Sequence, residues 1–256
     1  MTTIATAPGK VILVGEHAVV YGQPAIAAPV WERLATATIN DAAQGAGCTL
    51  HVPAIDLHLY VADVPAEGRE VQPLGHAARL ALAAAGAPAN PDWSIVLESA
   101  IPIASGMGSG AALSAAMVRG IFAHAGKEVS PAEVSALVYK SEKFYHGTPS
   151  GIDNTVIALG KPIWFVKGKE AEVIEVGVPL DAAEKIEPFT LLIADSGIPS
   201  PTRQVVEGVK MRWVAEPARY NFLFNEIGML AEQARTALRK GDSVRLGRIF
   251  DRNHRL

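Results

Sequence analysis

The sequence predicts an α+β fold, and three observations carry that prediction. Short β-branched and apolar runs crowd the amino-terminal part of the chain, helical periodicity dominates the carboxyl-terminal part, and the two kinds of segment do not alternate as a doubly wound sheet requires. The change between them falls at residues 184–188 and divides the chain into an expected first domain, residues 1–186, and an expected second domain, residues 187–256. With 49% apolar and 19% charged residues over 256 positions, the chain has the composition of an ordinary globular protein.

Taken in order, residues 2–6, 11–14 and 35–39 read as strands separated by Gly and Pro positions. Residues 44–47 and 65–68 read as turns flanking short polar edge strands. Apolar residues at helical spacing over 74–85, stopped by Gly86 and Pro88, predict a helix, and residues 93–97 predict a strand. Residues 109–125 are small and apolar, as a buried helix is. Ser130, Pro131 and Glu133 form a capping-box start for a helix reaching residue 144. A loop follows over 146–154, then expected strands at 155–158, 162–166, 173–176 and 189–194. Beyond Pro201 the pattern is helical, with 220–240 as one long amphipathic segment broken by Gly241 and Asp242.

A formal charge of −3 offers no general attraction to nucleic acid or to an anionic membrane, so an anionic ligand must be held by local groups. Cys48 is the only cysteine, which excludes an intrachain disulfide and a multi-cysteine zinc site and fits a reducing compartment. The amino terminus lacks the pattern of an export signal, and the expectation is a cytoplasmic protein.

Three segments carry chemistry. The first is the run Pro102, Ile103, Ala104, Ser105, Gly106, Met107, Gly108, Ser109, Gly110, Ala111 and Ala112, a glycine-rich turn leading into an apolar helix. Glycines let several backbone N–H groups converge, and the helix adds its positive end, so the turn suits phosphate; a plain strand-to-helix turn fits the run equally well. It matches neither the P-loop nor the dinucleotide fingerprint. In the second segment Lys10, Glu16 and His17 interrupt an apolar stretch, as a site or as a structural ion pair. The third runs from Glu142 to Asn154 and ends in Gly151-Ile152-Asp153-Asn154, where two carboxylates could serve a divalent cation and a hydroxyl, or Asp153 could simply cap a turn.

Together, the run Gly15-Glu16-His17-Ala18-Val19-Val20-Tyr21-Gly22, the glycine-rich turn and the run His146-Gly147-Thr148-Pro149-Ser150-Gly151-Ile152-Asp153-Asn154 resemble, in order and spacing, the motifs of the GHMP small-molecule kinases. Within that family the wording resembles the branch that phosphorylates mevalonate. The resemblance implies a two-domain fold, with an amino-terminal domain like domain 2 of ribosomal protein S5 and a ferredoxin-like carboxyl-terminal domain. It implies transfer of the γ-phosphate of ATP to the primary hydroxyl of mevalonate, with Mg2+ as cofactor, and leaves a homodimer open.

Position by position, the resemblance makes Asp153 the base for the substrate hydroxyl and Lys10 its charged neighbour. Glu142 and Ser109 become magnesium ligands, residues 102–112 the ATP phosphate cradle, and Glu16 and His17 the lining of the mevalonate pocket. Two departures stand out. Gly110 replaces a serine that the family often assigns to magnesium, and no Gly-Ala-Gly-Gly-Gly loop occurs before Leu256, so the expected carboxyl-terminal domain is incomplete. The remaining histidines His51, His58, His76, His124 and His254, and the arginines at 245, 248, 252 and 255, read as packing or solvated residues.

Overall fold

The computed structural model describes residues 1–65, 71–146, 149–176, 190–197 and 202–256. The expected boundary at 186/187 and part of the expected turn at 65–68 lie outside the described residues. By packing, the chain forms two compact units: residues 1–10 with 30–160, and residues 11–29 with 161–256. Two long strands, β1 (Thr2–Val14) and β2 (Ala25–Asp41), are each divided between the units. The separate strands expected at 2–6 and 11–14 are therefore one continuous strand, because Pro8 and Gly9 sit within the extended segment instead of turning it.

In the first unit, β1 pairs with β2, and the far half of β2 runs antiparallel to β5 (Trp93–Ser99), in register from Ala35 opposite Ser99 to Asp41 opposite Trp93. Strand β3 (Thr49–Val52) lies parallel to β5 and antiparallel to β4 (Leu57–Tyr60). Ala35, Ala37 and Ile39 alternate inward along β2 and meet Ile95 and Leu97 of β5, all of them fully buried. Each such Ile or Leu contributes roughly 1.5–3 kcal/mol through its removal from water.

Four helices complete this unit: α1 (Pro73–Ala84), α2 (Ser109–His124), α3 (Pro131–His146) and α4 (Ile152–Leu159). Helix α2 packs on α1, α3, α4 and β5. Its buried alanines, Ala111, Ala112, Ala115 and Ala116, let those neighbours approach closely. At Gly120 a Cβ would stand 3.1 Å from Ile39 Cδ1, so a side chain there would press on the core face of the sheet. The capping box of α3 is formed as its sequence demands: Ser130 N–H donates to Glu133 Oε2 at 2.9 Å, and Glu133 N–H donates to Ser130 Oγ at 3.3 Å.

The strand expected at 155–158 is instead the body of α4. Its β-branched residues favour a strand locally, but one tertiary contact and one bond within the first turn support the helix. Asn154 Nδ2 donates to the Ser135 carbonyl and hydroxyl at 3.2 and 2.8 Å, and Thr155 Oγ1 donates one turn back to the Gly151 carbonyl at 2.6 Å.

In the second unit the near half of β2 pairs antiparallel with β6 (Ile163–Phe165), which pairs in turn with β7 (Glu172–Val173). Helices α5 (Thr202–Ala215), α6 (Pro217–Lys240) and α7 (Ser243–Arg255) follow. The stripe Ile227, Leu230, Ala231, Ala234, Ala237 and Leu238 on α6 is buried, and its inner part joins Leu246 and Ile249 of α7 against Val14, Ile26, Trp164 and Ile174. The strand expected at 189–194 does not form over its described part: residues 190–194 pair with no strand, and Leu192 is 95% exposed. Among the described residues no helix is long and apolar enough to cross a membrane. The fold is α+β, as the irregular order of elements predicts.

Candidate active site

Lys10 sits near the middle of β1 and is only 6% exposed, which demands a partner for its charge. The partner is Asp153, whose Oδ1 lies 3.0 Å from the ammonium. Asp153 does not stand on a loop as the sequence suggested. It occupies the first turn of α4, behind Gly151 in a left-handed conformation, with its side chain 31% exposed. The carboxylate is thus held from below by a buried cation and remains open on the other side.

The glycine-rich turn is built onto the same lysine. Lys10 N–H donates to the Met107 carbonyl at 3.0 Å. Gly108 has a φ of +71°, and a Cβ there would stand 3.0 Å from Lys10 Cγ, 3.1 Å from Cε and 3.2 Å from Ile157 Cδ1. Glycine is favoured twice over, by the left-handed backbone and by the close approach. Ser105 Oγ donates to the Pro102 carbonyl at 2.8 Å, and Ala104 holds a positive φ of 57°, so the turn is tightly folded before it enters α2. No side chain caps the amino end of α2, which leaves Ser109, Gly110 and Ala111 presenting N–H groups at the positive end of a 16-residue helix.

Glu142, on α3, is 4% exposed. Its carboxyl is pushed up to about 8, first by burial and then by the nearby charge of Asp153, with Lys10 pulling the other way. In the ligand-free protein at neutral pH it is therefore largely protonated. A buried carboxyl raised in this way beside a second carboxylate is a pattern typical of sites that receive a cation or move a proton. Among the described residues no three His, Cys, Asp or Glu side chains cluster to hold a metal unaided.

Glu16 and His17 belong to the second unit. Gly15, with a φ of +102°, lies so close to Ala25 that a Cβ would come within 2.6 Å, and His17 follows with a positive φ of 61° before a short helical turn, Ala18–Tyr21. Glu16 Oε1 accepts a hydrogen bond from Asn253 Nδ2 at 2.7 Å. The sequence left open a structural ion pair within the set Lys10, Glu16 and His17. The observed partners differ: Asp153 for Lys10 and Asn253 for Glu16.

Two residues escaped the sequence reading. Asn253 is 8% exposed and continues the buried stripe of Leu246 and Ile249 on α7, a polar residue in an apolar spacing. Arg119 is a lone cation in the otherwise uncharged first four turns of α2. Both were visible as polar breaks in a buried pattern.

A glycine-rich helix amino end, a buried lysine and two neighbouring carboxylates lie together on one α+β unit, at positions that the resemblance to the GHMP kinases singles out. The model of that family described as GHMP kinases N terminal domain matches residues 73–161. Mevalonate kinase of Aeropyrum pernix is 33% identical over 252 residues, covering 96% of this chain and 74% of the relative. Mevalonate kinase of Pyrococcus furiosus is 29% identical over 270 residues, covering 100% of this chain and 77% of the relative. The crystal structure of Methanococcus jannaschii mevalonate kinase superposes with a TM-score of 0.72 at 21% identity, over 100% of this chain and 78% of that one, and so shares the fold. The chain belongs to the mevalonate kinase family of GHMP kinases.

Proposed function

We propose that this protein transfers the γ-phosphate of ATP to the primary hydroxyl of mevalonate, in the cytoplasm, with Mg2+ as cofactor. The observation that carries the reading is the buried Lys10–Asp153 pair built against the glycine-rich turn. Asp153 accepts the hydrogen bond of the attacking hydroxyl and takes its proton as the bond to phosphorus forms. Lys10, fixed at 3.0 Å, orients that carboxylate and faces the alkoxide charge as it develops. The amide groups at the start of α2 receive the phosphate oxygens.

The residues present fit a magnesium ion that shares its coordination with nucleotide phosphates. Such an ion takes one or two carboxylates plus phosphate and water and needs no all-protein cage. Glu142 and Ser109 would hold it, Glu142 giving up its proton to do so, and Gly110 contributes no side chain where the family often has serine. Bound with ATP, the ion neutralises charge on the transferring phosphoryl group. Glu16 and His17 are assigned to the mevalonate.

The test is a coupled ADP-release assay with MgATP and mevalonate, run beside homoserine, galactose and 5-phosphomevalonate. Turnover with mevalonate alone supports the reading. A folded protein that releases ADP only with another acceptor, or with none, overturns it.

A further inference from the structure

The side chain of Arg119, on α2, ends among main-chain carbonyls. Its Nη1 donates to the Thr6 carbonyl on β1 at 2.8 Å, and its Nη2 donates to the carbonyls of Ala158 at 3.0 Å and Ile157 at 3.3 Å on α4. One planar guanidinium therefore joins the strand that carries Lys10, the helix that carries Asp153 and the helix that opens at the glycine-rich turn.

Helix α4 needs such an anchor. At eight residues it is far shorter than a helix that holds itself in water, and its last carbonyls require partners. Gly160 N–H takes the Val156 carbonyl at 2.9 Å, Arg119 takes the next two, and Trp31 Nε1 donates to the Gly160 carbonyl at 3.3 Å. A positive charge at the carboxyl end of a helix is also favourable to its dipole. Ile157 lies one turn on from Asp153, and its side chain reaches the space beside Gly108. Any shift of this end of α4 therefore reaches both Asp153 and the turn. Burial lowers the pKa of Arg119 below the usual arginine value, yet no carboxylate is bonded to it among the described residues, so its charge is directed wholly at carbonyl dipoles.

We propose that Arg119 is a positioning residue for phosphoryl transfer, setting the separation of Asp153 and Lys10 by tying α4 and β1 to α2 without touching either substrate. This rests on the kinase reading above. The side chain recognises backbone geometry, so a lysine, with a point charge in place of a fork, replaces only part of the function.

The experiment compares wild type, Arg119→Met and Arg119→Lys by steady-state kinetics and by the nitrogen-15 signal of the Lys10 ammonium group, which is sheltered while bonded to Asp153. A displacement near 1 Å at reacting groups costs about 100-fold in rate. The expected result is a kcat lowered by about 10- to 100-fold in Arg119→Met, KM for ATP within about twofold of wild type, and recovery of part of kcat in Arg119→Lys. The Lys10 signal should broaden or vanish in Arg119→Met and persist in Arg119→Lys. Unchanged kcat in folded variants, or a KM for ATP that rises in step with the loss of kcat, overturns the proposal. If wild type itself shows no turnover, the kinase reading fails, and a Lys10 signal identical in all three proteins then overturns the positioning role as well. If Arg119→Met does not fold, Arg119→Lys decides alone: a kcat below wild type with an unchanged KM for ATP supports the proposal, and a wild-type kcat overturns it.

Discussion

Glu142 offers the most direct test of the electrostatics. It is 4% exposed, and its carboxyl is pushed up to about 8 from an ordinary 4.5. At 1.36 kcal/mol per unit, charging this group in the folded protein costs on the order of 5 kcal/mol more than in the unfolded chain. The sign follows from proton counting. Between pH 4.5 and about 8 the folded state holds a proton that the unfolded state has lost, so stability falls as pH rises through that window and levels off above it. Glu142→Gln keeps the shape and cannot ionise, so it removes this contribution to the slope.

Urea unfolding of the ligand-free protein with a chelator at pH 5, 7 and 9 reads this directly. At pH 5 the variant should match wild type within about 1 kcal/mol, the worth of one altered hydrogen bond. At pH 9 it should be the more stable protein by several kcal/mol, with 5 as a ceiling. Because the Asp153 charge contributes to the upward shift and Lys10 opposes it, Asp153→Asn should move the slope to lower pH. Parallel profiles for wild type and Glu142→Gln would refute the argument, since they would mean that Glu142 titrates as an exposed carboxylate despite its burial.

The other predictions concern rate and local stability. Asp153→Asn should lower kcat by about 10²–10⁴-fold, the usual worth of a general base, with KM for ATP little changed in the same ADP-release assay; wild-type turnover would remove Asp153 from the chemistry. Gly108→Ala should lose about 1–2 kcal/mol to the left-handed backbone, measured by denaturant midpoint. It should also lower kcat by about tenfold, since the new Cβ would stand 3.0 Å from Lys10 Cγ and push the stem aside, and an unaltered kcat would uncouple the turn from Lys10. Ser130→Ala should cost about 1 kcal/mol in urea unfolding and leave kcat unchanged, because the capping box serves α3 alone.

What the sequence revealed and what it hid divide by the range of the forces involved. Helices α1, α2, α3 and α6 were readable because their signals are local: a stop at Gly86, a capping box at Ser130, apolar spacing across one face. The candidate side chains could be picked out as well, since a lysine among Val and Ile or an Asp beside Gly stands out without any fold. Their pairing was not. Lys10 meets Asp153, and Glu16 meets Asn253, across most of the chain, and no spacing rule relates the members of either pair. The same reason explains α4. Residues 155–158 carry strand propensity, and what makes them helical is a set of bonds from Ser135 and Arg119 on two other helices. Strands β1 and β2, at 13 and 17 residues, are longer than a typical strand and are each divided between the two packing units, a division that no local composition signal marks. The site is thus legible as a parts inventory, while its chemistry depends on distances that only the long-range contacts impose. It follows that substitutions at Arg119, which touches none of the reactive groups, should perturb turnover more than substitutions of equal size at readable but local features such as the α3 cap.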